Sequence, residues 1–166
     1  MSVTLSKKLM SEFLGTLFLL TIVVGSGIMG DRLSGGNVGG ALLANSIATG
    51  LGLVTLILVF GPLSGAHFNP LVTIISFLQG HHSKKESLLY FIAQLCGAVA
   101  GVIVAHLMFR EPIYTISSHS RSGLSQMFSE FVATFGLIMV IRGIRDHHKE
   151  KIPFAVGAYI AAAYWF

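Results

Sequence analysis

The stretch Ser64-Gly-Ala-His-Phe-Asn-Pro-Leu-Val-Thr73 places an Asn-Pro pair in the middle of a long apolar segment. No Asp, Glu, Lys or Arg occurs between Leu33 and Ser83. A single helix needs only about 20 residues to cross the hydrocarbon core of a bilayer, so this run must contain two passes of the chain. The quoted stretch is therefore a break inside a membrane segment.

Four residues are expected to make this break: Gly61, Pro62, Gly65 and Pro70. Proline cannot continue a helix, and glycine tolerates the dihedrals of a turn. Because proline at a first helical position costs no hydrogen bond, we expect Asn69 to cap a short half-helix that continues from Val72 to Leu78. Exposed backbone at membrane depth is tolerated only inside protein or beside a watery cavity, so the break predicts a pore or binding site.

The composition indicates an integral membrane protein, since 53% of the 166 residues are hydrophobic, 11% are charged and the mean hydropathy is +0.76. A net charge of +4 could suit nucleic acid, but the basic residues lie in short segments between apolar runs. The single Cys96 excludes an internal disulfide. No nucleotide loop, nucleophile triad or zinc-type spacing occurs, so we expect no enzyme, cofactor or metal. The pairs His81-His82 and His147-His148 are expected to form solvated loop faces.

The apolar runs predict an all-α membrane protein. The expected spans are Leu9–Met29, Ala41–Phe60, Ser87–Phe109 and Leu124–Ile141, and a last segment, Ile152–Phe166, is short for a crossing. The aromatic residues Tyr159, Tyr164, Trp165 and Phe166 suit an interface belt.

The distribution of basic residues predicts a cytoplasmic N-terminus, because cytoplasmic loops carry an excess of Lys and Arg. With that orientation eight basic residues fall inside: Lys7, Lys8, Lys84, Lys85, Arg142, Arg145, Lys149 and Lys151. Only Arg32, Arg110 and Arg121 fall outside. The half-helix is therefore expected to enter from the cytoplasm.

An internal repeat relates the two ends of the chain, because Ser11-Glu-Phe-Leu-Gly-Thr-Leu17 is echoed by Ser129-Glu-Phe-Val-Ala-Thr-Phe135. An odd number of spans separates the copies, which predicts an inverted repeat. The first copy covers residues 1–110 approximately, and the second, which is incomplete, about 124–166. Fewer residues follow Glu130 than separate Glu12 from Asn69, so the second broken helix is missing.

These residues resemble the aquaporin and glycerol-facilitator family, the major intrinsic proteins. The resemblance rests on Ser-Gly-Ala-His-Phe-Asn-Pro, the two Glu-Phe-x-x-Thr openings and Ala93-Gln94. It implies a single transmembrane channel domain over residues 1–166, built as a right-handed helix bundle with a re-entrant half-helix. As a function it implies the passive passage of water and small neutral solutes such as glycerol. It also implies a location in the plasma (inner) membrane and a homotetramer at full length. The chain departs from the family in carrying Leu71 after Pro70 instead of alanine, and in stopping before the second motif.

The resemblance also implies roles for single residues. In the pore motif Asn69-Pro70-Leu71, the Asn69 amide would donate hydrogen bonds into the pore, and Leu71 would either add packing or alter the contact between half-helices. Loop bracing would fall to four side chains: Glu12, His67, Gln94 and Glu130. The constriction is expected at Thr49, with Ala162 as its partner from the fifth span.

Two rival interpretations remain at this point. Glu12 and Glu130 are ionisable residues in or near membrane spans, where charge is usually functional, so they would suit a proton-coupled secondary transporter. The missing second motif would alternatively make residues 1–166 a non-conducting fragment of a channel.

The charge distribution generates a test of the topology. Single cysteines beside Lys84 and Arg145, in a background lacking Cys96, should react with impermeant thiol reagents from the cytoplasmic side only. Cysteines beside Arg32 and Arg121 should react from the opposite side only. Labelling of both sets from one side would overturn the topology and the inverted repeat with it.

Overall fold

The computed structural model describes residues 3–114 and 122–166, in which the regular structure is helical. The elements are α1 (Leu5–Leu33), α2 (Val38–Ser64), α3 (Pro70–Leu78), α4 (Lys84–Phe109), α5 (Leu124–Arg145), a 3₁₀ turn (Lys149–Lys151) and α6 (Ile152–Ala163). Within the described residues, four helices are long and apolar enough to cross a membrane, namely α1, α2, α4 and α5. Arg121, one of the cations assigned to the outside, lies outside the described residues.

The break in the membrane segment begins later than expected. We predicted that Gly61 and Pro62 would interrupt the helix, but α2 continues through both of them to Ser64. Pro62 lies in the last turn of α2, where its missing N–H removes one hydrogen bond without stopping the helix. The chain turns at Gly65, which has a φ of 90°, a left-handed value that glycine adopts without strain.

Residues 65–69, here called the re-entrant loop, connect α2 to the half-helix α3. Asn69 caps α3 and Pro70 is its first residue, as the sequence predicted. The chain leaves α3 through a short turn, and α4 begins at Lys84 under a cap in which the Ser83 hydroxyl accepts a hydrogen bond from the Glu86 N–H. The half-helix therefore ends near the point where a full span begins.

Glycines allow the helices to pack backbone against backbone at two crossings. On α4, Gly97 and Gly101 lie directly under the carbonyl oxygens of Phe13 and Leu17 on α1. The crossing of α2 and α6 is reciprocal, because a Cβ on Gly50 would lie 2.8 Å from the Gly157 oxygen and one on Gly157 would lie 2.5 Å from the Gly50 oxygen. In a bilayer the hydrophobic effect does not drive helices together. Small residues at such crossings allow close van der Waals packing, which holds the helices together instead.

The α1–α4 crossing generates a stability prediction. Gly97→Ala would push a methyl group into the Phe13 carbonyl and should destabilise the protein by roughly 1–3 kcal/mol, the usual cost of overpacking. Thermal unfolding in detergent measures the change. Gly143→Ala, on α5, is the matched control, because a Cβ there meets nothing within 4 Å. Equal melting temperatures for the two variants would contradict the packing described.

Candidate functional site

A cavity of about 860 Å³, here called the main cavity, lies among α1, α2, α3, α5 and α6. Most of its wall is formed by aliphatic side chains of the helices. The re-entrant loop and its flanks supply polar side chains to the wall, namely Ser64, His67 and Asn69. A second polar part of the wall follows α3 and α5, and it contains Gln79, His81, His82, Arg142, Arg145, Lys149 and Glu150. The main cavity is therefore a largely aliphatic space with polar groups at the broken helix and charged groups near the ends of α3 and α5.

The re-entrant loop is attached to the bundle through the carboxylate of Glu12, which is fully buried on α1. Glu12 Oε1 accepts hydrogen bonds from the Ser64 hydroxyl at 2.6 Å and the His67 N–H at 3.0 Å. Glu12 Oε2 accepts from the Phe68 N–H at 2.9 Å and from Gln94 Nε2 at 2.8 Å. Four donors from α2, the loop and α4 thus converge on one side chain.

These bonds hold a strained backbone. Ala66 and Phe68 have φ values of 50° and 46°, which non-glycine residues adopt at a cost of about 1–3 kcal/mol each. The Tyr90 hydroxyl donates to the Ser64 carbonyl at 2.9 Å, and the Phe68 ring fills the space above Gly15. The loop keeps this conformation because Ser64, just before it, and the amides of His67 and Phe68 are bonded to α1 and α4.

A second set of contacts joins the loop to α3 and α4 through Thr73. Gln94 Nε2 donates to Thr73 Oγ1 at 3.0 Å, and His67 Nδ1 lies 3.0 Å from the same oxygen. The structure thus brings Glu12, His67 and Gln94, three of the four residues predicted to brace the loop, into one network.

His82 departs from the expectation of a solvated loop face. Its side chain is 10% exposed, and its ring lies 5.1 Å from that of His67 and 5.0 Å from that of Tyr90. Burial lowers the pKa of His82 below its ordinary value, although Glu86, 3.4 Å away, acts in the opposite direction. The neutral ring is thereby favoured, and it packs against the loop.

Asn69 presents its amide to the main cavity. Its Oδ1 accepts from the N–H groups of Leu71 and Val72 at 2.8 and 3.4 Å, as an N-cap requires. Among the described residues none accepts from its Nδ2, and Asn69 lines the cavity. Leu71 lies beside it but is 46% exposed and does not line the main cavity.

The predicted constriction pair is arranged differently from the expectation. Thr49 is 2% exposed, lines the main cavity and is 3.0 Å from the hydroxyl of Tyr164. Ala162 lies on the exposed side of α6, away from the cavity lining. Two residues rotate a helix by about 200°, so Ala162 and Tyr164 face opposite ways. The structure therefore places Tyr164, and not Ala162, next to Thr49, and the constriction itself stays a prediction.

Sequence reasoning assigned Tyr164 and Tyr159 to an interface belt, whereas both hydroxyls bond within the bundle. The Tyr159 hydroxyl donates to the Ala133 carbonyl at 3.0 Å. The available signal was the hydroxyl that each of these two aromatic residues carries in an apolar segment, since a buried tyrosine hydroxyl usually finds a hydrogen-bond partner. It was missed because aromatic residues near a helix end suit a lipid interface equally well.

Glu130, the repeat counterpart of Glu12, has a different environment. It is exposed on α5, lines a second cavity of about 710 Å³, and has no hydrogen-bond partner among the described residues. Its bracing role stays a prediction.

Residues 1–165 match the family described as Major intrinsic protein. The chain belongs to the major intrinsic protein family. Its all-α membrane fold, multi-pass character and place among channels rather than enzymes are thereby confirmed.

Individual relatives of this major intrinsic protein agree. The chain is 48% identical over 163 residues to Aquaglyceroporin AqpS of Rhizobium meliloti (strain 1021), covering 98% of this chain and 69% of that protein. It is 30% identical to Aquaporin NIP6-1 of Arabidopsis thaliana, covering 96% of this chain and 52% of the relative. The X-ray structure of the aquaglyceroporin from Plasmodium falciparum matches with a TM-score of 0.81 and 26% identity, over 98% of this chain and 72% of that one. The chain thus spans about half to seven tenths of these relatives.

The Glu12 network generates a test by a near-isosteric change. Glu12→Gln replaces one acceptor oxygen by a donor facing other donors, and should destabilise the protein by roughly 1.5–3 kcal/mol for each charged hydrogen bond lost. Thermal unfolding in detergent provides the measurement. Asp31→Asn, an exposed carboxylate on the same helix, is the control and should leave the melting temperature unchanged. If the two variants melt alike, Glu12 does not hold the loop.

Proposed function

We propose that this chain contributes to a passive channel for water and small neutral solutes such as glycerol. The observation that carries the proposal is the half-helix α3, whose N-terminus and Asn69 amide face a largely aliphatic cavity inside a membrane bundle. The names of two similar proteins, both called aquaglyceroporins, support the same solute class.

The physical basis lies in what the half-helix offers a solute. A helix N-terminus carries roughly half a positive charge and unpaired N–H groups, which favour an oxygen atom and repel a cation. The Asn69 Nδ2 adds donors in the same direction, since Oδ1 is occupied by the cap. A neutral hydroxylated molecule can exchange its water for these donors, whereas a cation would lose hydration and find only donors at the half-helix.

The rival function, proton-coupled transport, is less well supported by the contacts of Glu12. Both of its oxygens accept hydrogen bonds. Two of these bonds come from backbone N–H groups of the re-entrant loop, which can leave Glu12 only if the loop itself moves. Such a side chain suits bracing better than a cycle of protonation and release. The two functions differ in one observable, because a transporter accumulates solute against a gradient and a channel only equilibrates it.

We further propose one channel domain composed of two inverted copies, with the N-terminus in the cytoplasm of a plasma (inner) membrane. The contact of Gly50 and Gly157 supports the repeat, because each glycine faces the carbonyl oxygen of the other. A two-fold relation between the helices that carry them would produce such a reciprocal contact. Exposed apolar side chains on α1 and α4, such as Phe18, Phe91 and Leu95, are compatible with lipid contact and with a homotetramer at full length.

Stopped-flow light scattering on proteoliposomes tests the function. The natural gene product should raise osmotic water permeability and glycerol permeability above those of empty vesicles, and a proton gradient should leave the final glycerol level unchanged. Permeabilities equal to those of empty vesicles, or accumulation driven by the gradient, would refute the channel.

The position of Thr49 generates a prediction about selectivity. Thr49→Phe places a ring in the wall of the main cavity beside Tyr164 and should reduce glycerol permeability more than water permeability, because the larger solute meets the narrowing first. Thr55→Phe, on the exposed face of the same helix, is the control. Equal loss of both permeabilities in Thr49→Phe would argue that Thr49 does not border the constriction.

A further inference from the structure

Three cations line the main cavity near the ends of α3 and α5. They are Arg142 and Arg145 on α5 and Lys149 in the turn that follows α5, and together they are here called the basic pocket. Among the described residues that line this cavity, Glu150 carries the only carboxylate. Three positive charges and one negative charge leave this part of the wall with a net charge of +2 when its histidines are uncharged.

Arg145 is held in place by neutral groups instead of a carboxylate. Its Nη1 donates to Gln79 Oε1 at 3.3 Å, and its Nη2 lies 3.3 Å from His81 Nε2. Because a guanidinium can only donate, His81 must accept this bond with an unprotonated Nε2, and its ring is uncharged. The described residues therefore fix the direction of the Arg145 side chain but do not neutralise its charge.

The same part of the wall contains donors that lack acceptors. Arg142 and Lys149 make no hydrogen bond or ion pair within the described residues. The Gln79 Nε2 group is buried and also has no acceptor there, which costs free energy unless a bound molecule supplies one. Arg142 precedes Arg145 by three positions on α5, so the two guanidinium groups lie on one face of the helix. This arrangement suits an anion that has several acceptor oxygens.

Membrane topology and the helix dipole explain only part of this arrangement. Cytoplasmic loops are rich in Lys and Arg, and cations are favoured in the last turn of a helix such as α5. Neither effect requires three cations to line one cavity. Lys84 and Lys85, which the charge distribution assigns to the same side of the membrane, line neither cavity.

We infer that the basic pocket binds a phosphate monoester. Such a group carries a charge of about −1.5 to −2 at pH 7 and three acceptor oxygens, which match the net charge and the unused donors of the wall. Arginine is suited to phosphate because its planar fork can donate two parallel hydrogen bonds. The group can belong to a soluble phosphorylated molecule or to a lipid headgroup, since both present the same chemistry. The inference goes beyond the proposed function and does not depend on it.

The test measures binding of inorganic phosphate to the natural gene product in detergent, by equilibrium dialysis. Arg142→Gln and Arg145→Gln should each raise the Kd by about tenfold, the factor expected for one charged hydrogen bond. Arg142 bonds to no described residue, so its replacement should leave thermal unfolding unchanged. Arg142→Lys keeps the charge and should raise the Kd less than Arg142→Gln does. Lys84→Gln is the matched control and should bind as the unmodified protein does.

Reconstitution distinguishes the two sources of the phosphate group. Vesicles that contain phosphatidic acid, a lipid phosphomonoester, are compared with phosphatidylglycerol vesicles of equal surface charge, whose phosphate is a diester. Weaker binding of inorganic phosphate with phosphatidic acid would assign the pocket to a lipid headgroup, and equal binding would assign it to a soluble molecule.

Two results would refute the phosphate site. One is that the unmodified protein binds no inorganic phosphate in detergent. The other is that Arg142→Gln, Arg145→Gln and Lys84→Gln all bind it equally well. Either result would leave the channel untouched, because binding is measured without flux. A protein that binds phosphate at the basic pocket but conducts neither water nor glycerol would refute the proposed function alone.

Discussion

The carboxylate of Glu12 is the contact on which the rest of the site depends. A buried charge is tolerated only when hydrogen bonds replace its hydration, and Glu12 receives four of them, from Ser64, His67, Phe68 and Gln94. Those partners lie on α2, the re-entrant loop and α4. The four donors therefore compensate the buried carboxylate. The same bonds join a loop of strained backbone to the helices around it.

The direction of the half-helix follows from this attachment. Since Glu12 fixes the amides of His67 and Phe68, Asn69 comes next in the chain at a defined position and begins α3 with its amide toward the main cavity. The glycine crossings set how closely the surrounding helices approach, because α1 meets α4 at Gly97 and α2 meets α6 at Gly50. The main cavity is the space that these attachments leave among the helices.

Much of this arrangement could be predicted from sequence, because its signals are local or repeated. The start of the half-helix at Asn69 and Pro70 follows from the residue preferences of helix N-termini. Glu12 could be singled out because it is an ionisable residue in a membrane helix and recurs as Glu130 in the second copy. The end of α2 was placed too early because Pro62 loses only its own hydrogen bond to the preceding turn, so the next two residues could still continue the helix. The position of Ala162 relative to Thr49 could not be predicted for another reason. Without a second motif to set the register, the rotation of α6 about its axis is fixed only by tertiary packing, which puts Gly157 against Gly50.

The contact between Glu12 and the loop can be measured directly in a bilayer. Solid-state NMR of the reconstituted protein, labelled with ¹³C at the Glu12 carboxyl carbon and ¹⁵N in the backbone, reports whether that carbon lies next to particular amide nitrogens. The N···O distances of 3.0 Å at His67 and 2.9 Å at Phe68 predict strong dipolar contacts to both nitrogens. Absence of both contacts, with the helix signals intact, would contradict the account of a re-entrant loop held by Glu12.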